Sequence, residues 1–162
     1  MSSTGVGYAS AVALAAIFAI AAVAKLRDLS ATERDFIGLG LPRASFFARF
    51  VPLAELSIVA LLLIVPAAGA IAALVSLAFF TTFLIGRLRA GVRAPCACFG
   101  SSRTQPISAL DVMRNVGLIG LAMLSLASDR PTKISALDAL VVAAVIVVAG
   151  GALHLAGRVR SR

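Results

Sequence analysis

The chain has 162 residues, of which 60% are hydrophobic and only 14% charged, with a net charge of +8. A soluble domain is about half apolar and about a quarter charged, so one small core cannot bury the excess and lipid must cover much of it. The basic residues flank apolar runs, a membrane-topology pattern rather than the basic, aromatic-interleaved face of a nucleic-acid binder.

Residues 1–24 carry no charge, and the almost wholly apolar stretch 8–24 predicts a first spanning helix ended by Lys25 and Arg27. Ala22-Val23-Ala24 resembles a signal-peptide cleavage site, but residues 1–7 lack the basic region that precedes one, which favours an uncleaved helix. Residues 25–49 are polar and mixed in charge, and Gly38, Gly40 and Pro42 break any long periodicity. From 50 to 86 Glu55 is the only charge, apart from Arg87 just beyond. That run far exceeds the ~20 residues one crossing needs. Pro66-Ala67-Ala68-Gly69 near its middle predicts a tight hairpin of two spanning helices, 50–65 and 67–86. A basic loop, 87–107, holds the two cysteines. A fourth helix is expected over 108–128 and a fifth over 135–156, separated by Asp129-Arg130-Pro131-Thr132-Lys133. The expected fold is all-α, a single polytopic transmembrane helical bundle without repeats or a separate soluble domain.

Orientation follows from the lysines and arginines. With five spans the loops alternate sides, and one side receives 13 of the 15 basic residues, leaving only Arg130 and Lys133 on the other. The positive-inside bias then places the amino terminus outside and the cysteine loop in the cytoplasm.

Cys96 and Cys98 are the sharpest chemical feature. Their Cα atoms lie at most about 7 Å apart in an extended chain, near the limit of disulfide reach. A bend would close the bond into a small strained ring, and strained disulfides are the exchangeable ones. Pro95 and Gly100 favour a turn here, and Arg93, Arg103 and Arg114 would stabilise a thiolate. Three readings stay open: redox chemistry, metal binding, and an inert packing pair. Two thiolates suit a soft ion of the Cu(I) type. A zinc site would need two further ligands, and His154 is remote in sequence.

Ser108-Ala109-Leu110-Asp111 resembles a helix-capping box, which would point the positive end of the fourth helix toward the cysteine loop. Arg114 and Asn115 follow one turn in. Glu55 is an acid within an apolar span, three residues after Pro52, whose position suits a first helical turn. Acids at membrane depth are costly and face a partner or a cavity. Lys25 and Arg114 are expected at the same boundary. Glu55 is therefore either half of a structural ion pair or a proton-handling or partner-positioning group beside the thiols. No phosphate loop, HExxH, nucleophile elbow or haem-attachment motif is present.

Several segments together carry a resemblance. They are Ala24-Lys25-Leu26-Arg27-Asp28, Leu41-Pro42, Val51-Pro52-Leu53-Ala54-Glu55-Leu56, Cys96-Ala97-Cys98-Phe99-Gly100, Ile107-Ser108 and Arg114-Asn115. In this order and spacing, over residues 8–126, the chain resembles the MauE/DoxX-like family of redox-associated membrane proteins of the methylamine utilisation type. The resemblance implies a four-helix core, to which the fifth, C-terminal helix is an addition. It also implies a role in thiol–disulfide traffic or protein maturation, in a bacterial plasma membrane and beside a thioredoxin-like partner. It assigns the redox role to Cys96 and Cys98 and a supporting role to Lys25, Glu55, Arg114 and Asn115. No cofactor is obligatory and no metal is assigned; the candidate electron sinks are a quinone and a thioredoxin-like partner. The alternatives are a non-catalytic subunit or assembly partner of a larger membrane complex, and a soft-metal-binding membrane protein. A cytoplasmic cysteine loop suits a relay fed by a cytoplasmic reductant better than direct oxidation of an exported protein.

Overall fold

The computed structural model describes residues 3–92, 94 and 106–127. Within them the chain is all-helical: α1 (Ser3–Arg27), α2 (Leu29–Gly38), α3 (Ala44–Ile64), α4 (Pro66–Arg89) and α5 (Ala109–Ala127). Four of these, all but α2, are long and apolar enough to cross a membrane. The expected fifth spanning helix, 135–156, lies outside the described residues, as do the cysteines.

The segment 25–49, expected to be irregular, contains α2 and the first turn and a half of α3. The sequence carries the reason. Asp28 caps α2, its Oδ1 accepting from the Ala31 N–H at 2.9 Å, which satisfies one of the unpaired amides at a helix start. Ala31, Thr32, Asp35 and Phe36 are the residues α2 buries, a one-sided stripe at helical spacing. Gly38 does not break this helix; it is its last residue. Gly40 ends it, with φ +73°, as the Gly40 N–H bonds to the Ile37 carbonyl and the Leu41 N–H to that of Phe36, a Schellman closure that needs a left-handed residue. Gly91, φ +71°, closes α4 in the same way, with the Val92 N–H on the Arg87 carbonyl.

Pro66-Ala67-Ala68-Gly69 is not itself a loop. Only Val65 separates α3 from α4, and Pro66 is the first residue of α4, where its missing N–H costs nothing. Gly69 serves packing rather than turning, because a Cβ there would fall 2.3 Å from the backbone nitrogen of Leu62. Pro52, in turn, lies inside α3 rather than in its first turn, because α3 begins at Ala44.

α1 packs most extensively on α3 and then on α5, while α4 packs on α5 and α3. Two apolar clusters result. The first joins Leu14 and Phe18 of α1 to Leu62, Leu77 and Leu118. The second joins Phe36 and Leu39 to Val51, Leu84, Ala94 and Ile107. The alternation of the spans gathers the end of α1, all of α2, the start of α3, the end of α4 and the start of α5 at one end of the bundle. Every lysine and arginine among the described residues belongs to these segments or, as Arg43, to the short connection between α2 and α3.

Candidate functional site

Between the two apolar clusters lies a polar layer. Lys25, two residues from the end of α1, donates from Nζ to Glu55 Oε1 of α3 at 2.7 Å. The same Nζ makes a long, 3.5 Å contact with the Ala21 carbonyl. The pair is shut off from the surface, with side chains 4% and 8% exposed. Such a pair must be complete to be tolerated: the attraction offsets the desolvation of both ions only while each has its partner. The earlier start of α3 changes the setting of Glu55. It lies eleven residues in, about 16 Å along a helix rising 1.5 Å per residue, rather than in the second turn of a helix that starts at residue 50.

A cavity of about 20 Å³ adjoins the pair, lined by Lys25, Glu55, Ser76 and Asn115 and by four apolar side chains. Phe18 and Leu77 reach it from the first cluster, Phe36 and Phe80 from the second. All five helices contribute, and α2 supplies Phe36. Asn115, on α5, is buried to 2% exposure. Two polar atoms of this layer, Glu55 Oε2 and Asn115 Oδ1, make no hydrogen bond to the described residues.

Of the residues expected to support the chemistry, the fold therefore brings Lys25, Glu55 and Asn115 together. Arg114 is exposed on α5 and is not part of the cavity lining. Ser76, Phe18 and Phe36 were not singled out from sequence; Ser76 resembles any other small residue of an apolar span. The capping of α5 involves both expected residues, although Asp111 does the work: its Oδ2 accepts from the Ser108 N–H at 2.9 Å and from the Ser108 hydroxyl at 3.1 Å.

Cys96 and Cys98 lie outside the described residues, but the residues that bracket them are placed. The Ile107 N–H donates to the Ala94 carbonyl at 3.1 Å, and both residues are buried in the second apolar cluster. The Ala94 Cβ also sits 3.2 Å from where a Cβ on Gly38 would fall, so this junction rests on the end of α2. The base of the cysteine loop is thus fixed at the basic end of the bundle. Among the described residues no group of three or more His, Cys, Asp or Glu side chains could hold a metal ion.

Four membrane-length helices closed around a buried lysine–glutamate pair define an integral membrane protein, not a soluble domain with an apolar core. Residues 3–128 match the family described as methylamine utilisation protein MauE. Over 130 residues the chain is 35% identical to the methylamine utilization protein MauE of Paracoccus denitrificans, covering 76% of this chain and 69% of that one. The chain belongs to the MauE family. No solved structure matches it.

Proposed function

We propose that this protein is a membrane thiol–disulfide redox protein, an electron relay or protein-maturation factor, in which Cys96 and Cys98 cycle between dithiol and disulfide. The observation that carries this reading is a lone C-x-C pair in a chain of the MauE family, borne on a loop whose base is pinned at the basic end of the bundle. One thiolate attacks a disulfide of the partner, forming a mixed disulfide and releasing one partner thiolate. The second cysteine then attacks its neighbour, forming the Cys96–Cys98 disulfide and releasing the partner's second thiol. The two electrons so accepted by the partner are restored to the pair by a reductant, or the cycle runs in reverse toward a quinone. A thioredoxin-like protein is the partner whose chemistry fits this exchange, and methylamine utilisation, named for the relatives, is the process it would serve. The charge distribution supports a cytoplasmic face for the cysteine loop in a bacterial plasma membrane. Lys25, Glu55 and Asn115 hold the bundle beneath that loop, and Arg114 adds positive charge at the same end.

Alkylation trapping in cells tests the proposal. Acid quenching followed by mass-tagged maleimide should reveal both dithiol and disulfide forms, and changing the cysteines to serine one at a time should accumulate a mixed disulfide with a partner in the variant that lacks the resolving thiol and abolish it in the variant that lacks the attacking one. A pair that never changes redox state, with Cys96→Ser and Cys98→Ser leaving the phenotype intact, rules the proposal out.

A further inference from the structure

The polar layer contains more hydrogen-bonding capacity than its side chains satisfy among themselves. Glu55 is 6% exposed and uses only Oε1 on Lys25; Asn115 is 2% exposed, and its Oδ1 has no protein partner among the described residues. Leaving a buried acceptor unpaired is costly, and more so when it is charged, so native structures rarely tolerate two in one place. Both side chains line the same cavity. Its volume, about 20 Å³, exceeds the roughly 10–15 Å³ that one water requires and is far too small for an aromatic ring or an amino acid. A buried water also needs 2–4 polar partners, and here Glu55, Asn115 and Ser76, each with a polar side chain, line one space.

We propose that this cavity is a water-binding site, in which a single water bridges Glu55 Oε2 and the carboxamide of Asn115. The water donates one hydrogen to the carboxylate; its second hydrogen or a lone pair serves the amide, whichever way the amide is turned. The bridge extends the Lys25–Glu55 pair into a link that joins α1, α3 and α5. Asn115 is then a positioning residue, holding α5, and with it the end of α5 that meets the cysteine loop, to the ion pair.

The test uses the full chain in lipid bilayers, with asparagine, glutamate, leucine and alanine isotopically labelled for water-edited solid-state NMR. The side-chain signals of Asn115 and Glu55 should receive water magnetisation well before those of Leu118 and Ala122, their buried neighbours in the apolar layer. Transfer to Asn115 no faster than to Leu118 overturns the proposal. A second arm uses Asn115→Leu, which keeps the branching and the number of heavy atoms and removes the amide. It should lower the unfolding midpoint by about 2–4 °C in the native chain, and by much less in a Lys25→Met, Glu55→Leu background, where no carboxylate remains to be bridged. An equal fall in both backgrounds would show that Asn115 and Glu55 are uncoupled, and would also overturn it. Should Asn115→Leu fail to fold, the NMR comparison on the unaltered protein decides alone.

Discussion

At the scale of single residues, Lys25 and Glu55 are the positions at which substitution is most damaging. Changing either alone to alanine leaves an uncompensated charge among apolar side chains, and is expected to destabilise the protein by about 3–5 kcal/mol. Replacing both, as Lys25→Met with Glu55→Leu, removes the two desolvation costs together and should be close to neutral or stabilising. Denaturant or thermal unfolding in detergent checks both expectations; a single alanine variant as stable as the parent would mean that the charge left behind finds another partner. The sequence itself exposed Glu55, because an acid in an apolar run must have a reason. It also offered Lys25 as one of two cationic partners. Sequence could not choose between Lys25 and Arg114, since both fall near the same membrane boundary; helix rotation turned Lys25 inward and left Arg114 exposed.

At the scale of elements, two short features hold the helices in place. Gly69 lets α4 press against the last turn of α3, and a side chain there would meet the backbone of Leu62. Gly69→Val is expected to cost at least the roughly 1–3 kcal/mol typical of overpacking, read as a lowered unfolding midpoint; an unchanged midpoint would show that the helix corner can open freely. Asp28→Ala removes the side-chain cap of α2 and should cost about 1 kcal/mol, measurable by the same method. α2 was the element hidden from the sequence. It is ten residues long, too short for strong periodicity, and Gly38 and Gly40, which read as breaks in an irregular segment, in fact mark its end. The same misplacement hid the true start of α3, and so put Glu55 and Pro52 too near a helix terminus.

At the scale of the whole molecule, the basic residues of the described chain are gathered at one end of the bundle, the end from which the cysteine loop departs. If that end faces the cytoplasm, a membrane-impermeant maleimide applied to intact cells should leave Cys96 and Cys98 unlabelled, and should label them after permeabilisation. Labelling from outside would invert the topology and turn the proposed relay into an outward-facing redox site. The two apolar clusters with a polar layer between them also explain why the bundle has a defined register. Sliding α1 along α3 by one turn would separate Lys25 from Glu55 and strand both charges in an apolar setting.

The sequence by itself determined the membrane environment, the all-helical class and the four spans now seen, because twenty-residue apolar runs have few other stable outcomes in a bilayer. It also marked the C-x-C pair, through rarity and flanking residues rather than through any fold. The tertiary structure alone decided which polar residues meet. Helix rotation and register are set by packing between α1, α3 and α5, and no local pattern specifies them. That packing joined Lys25 to Glu55, brought Asn115 to the same cavity, and used α2, through Phe36, to wall it.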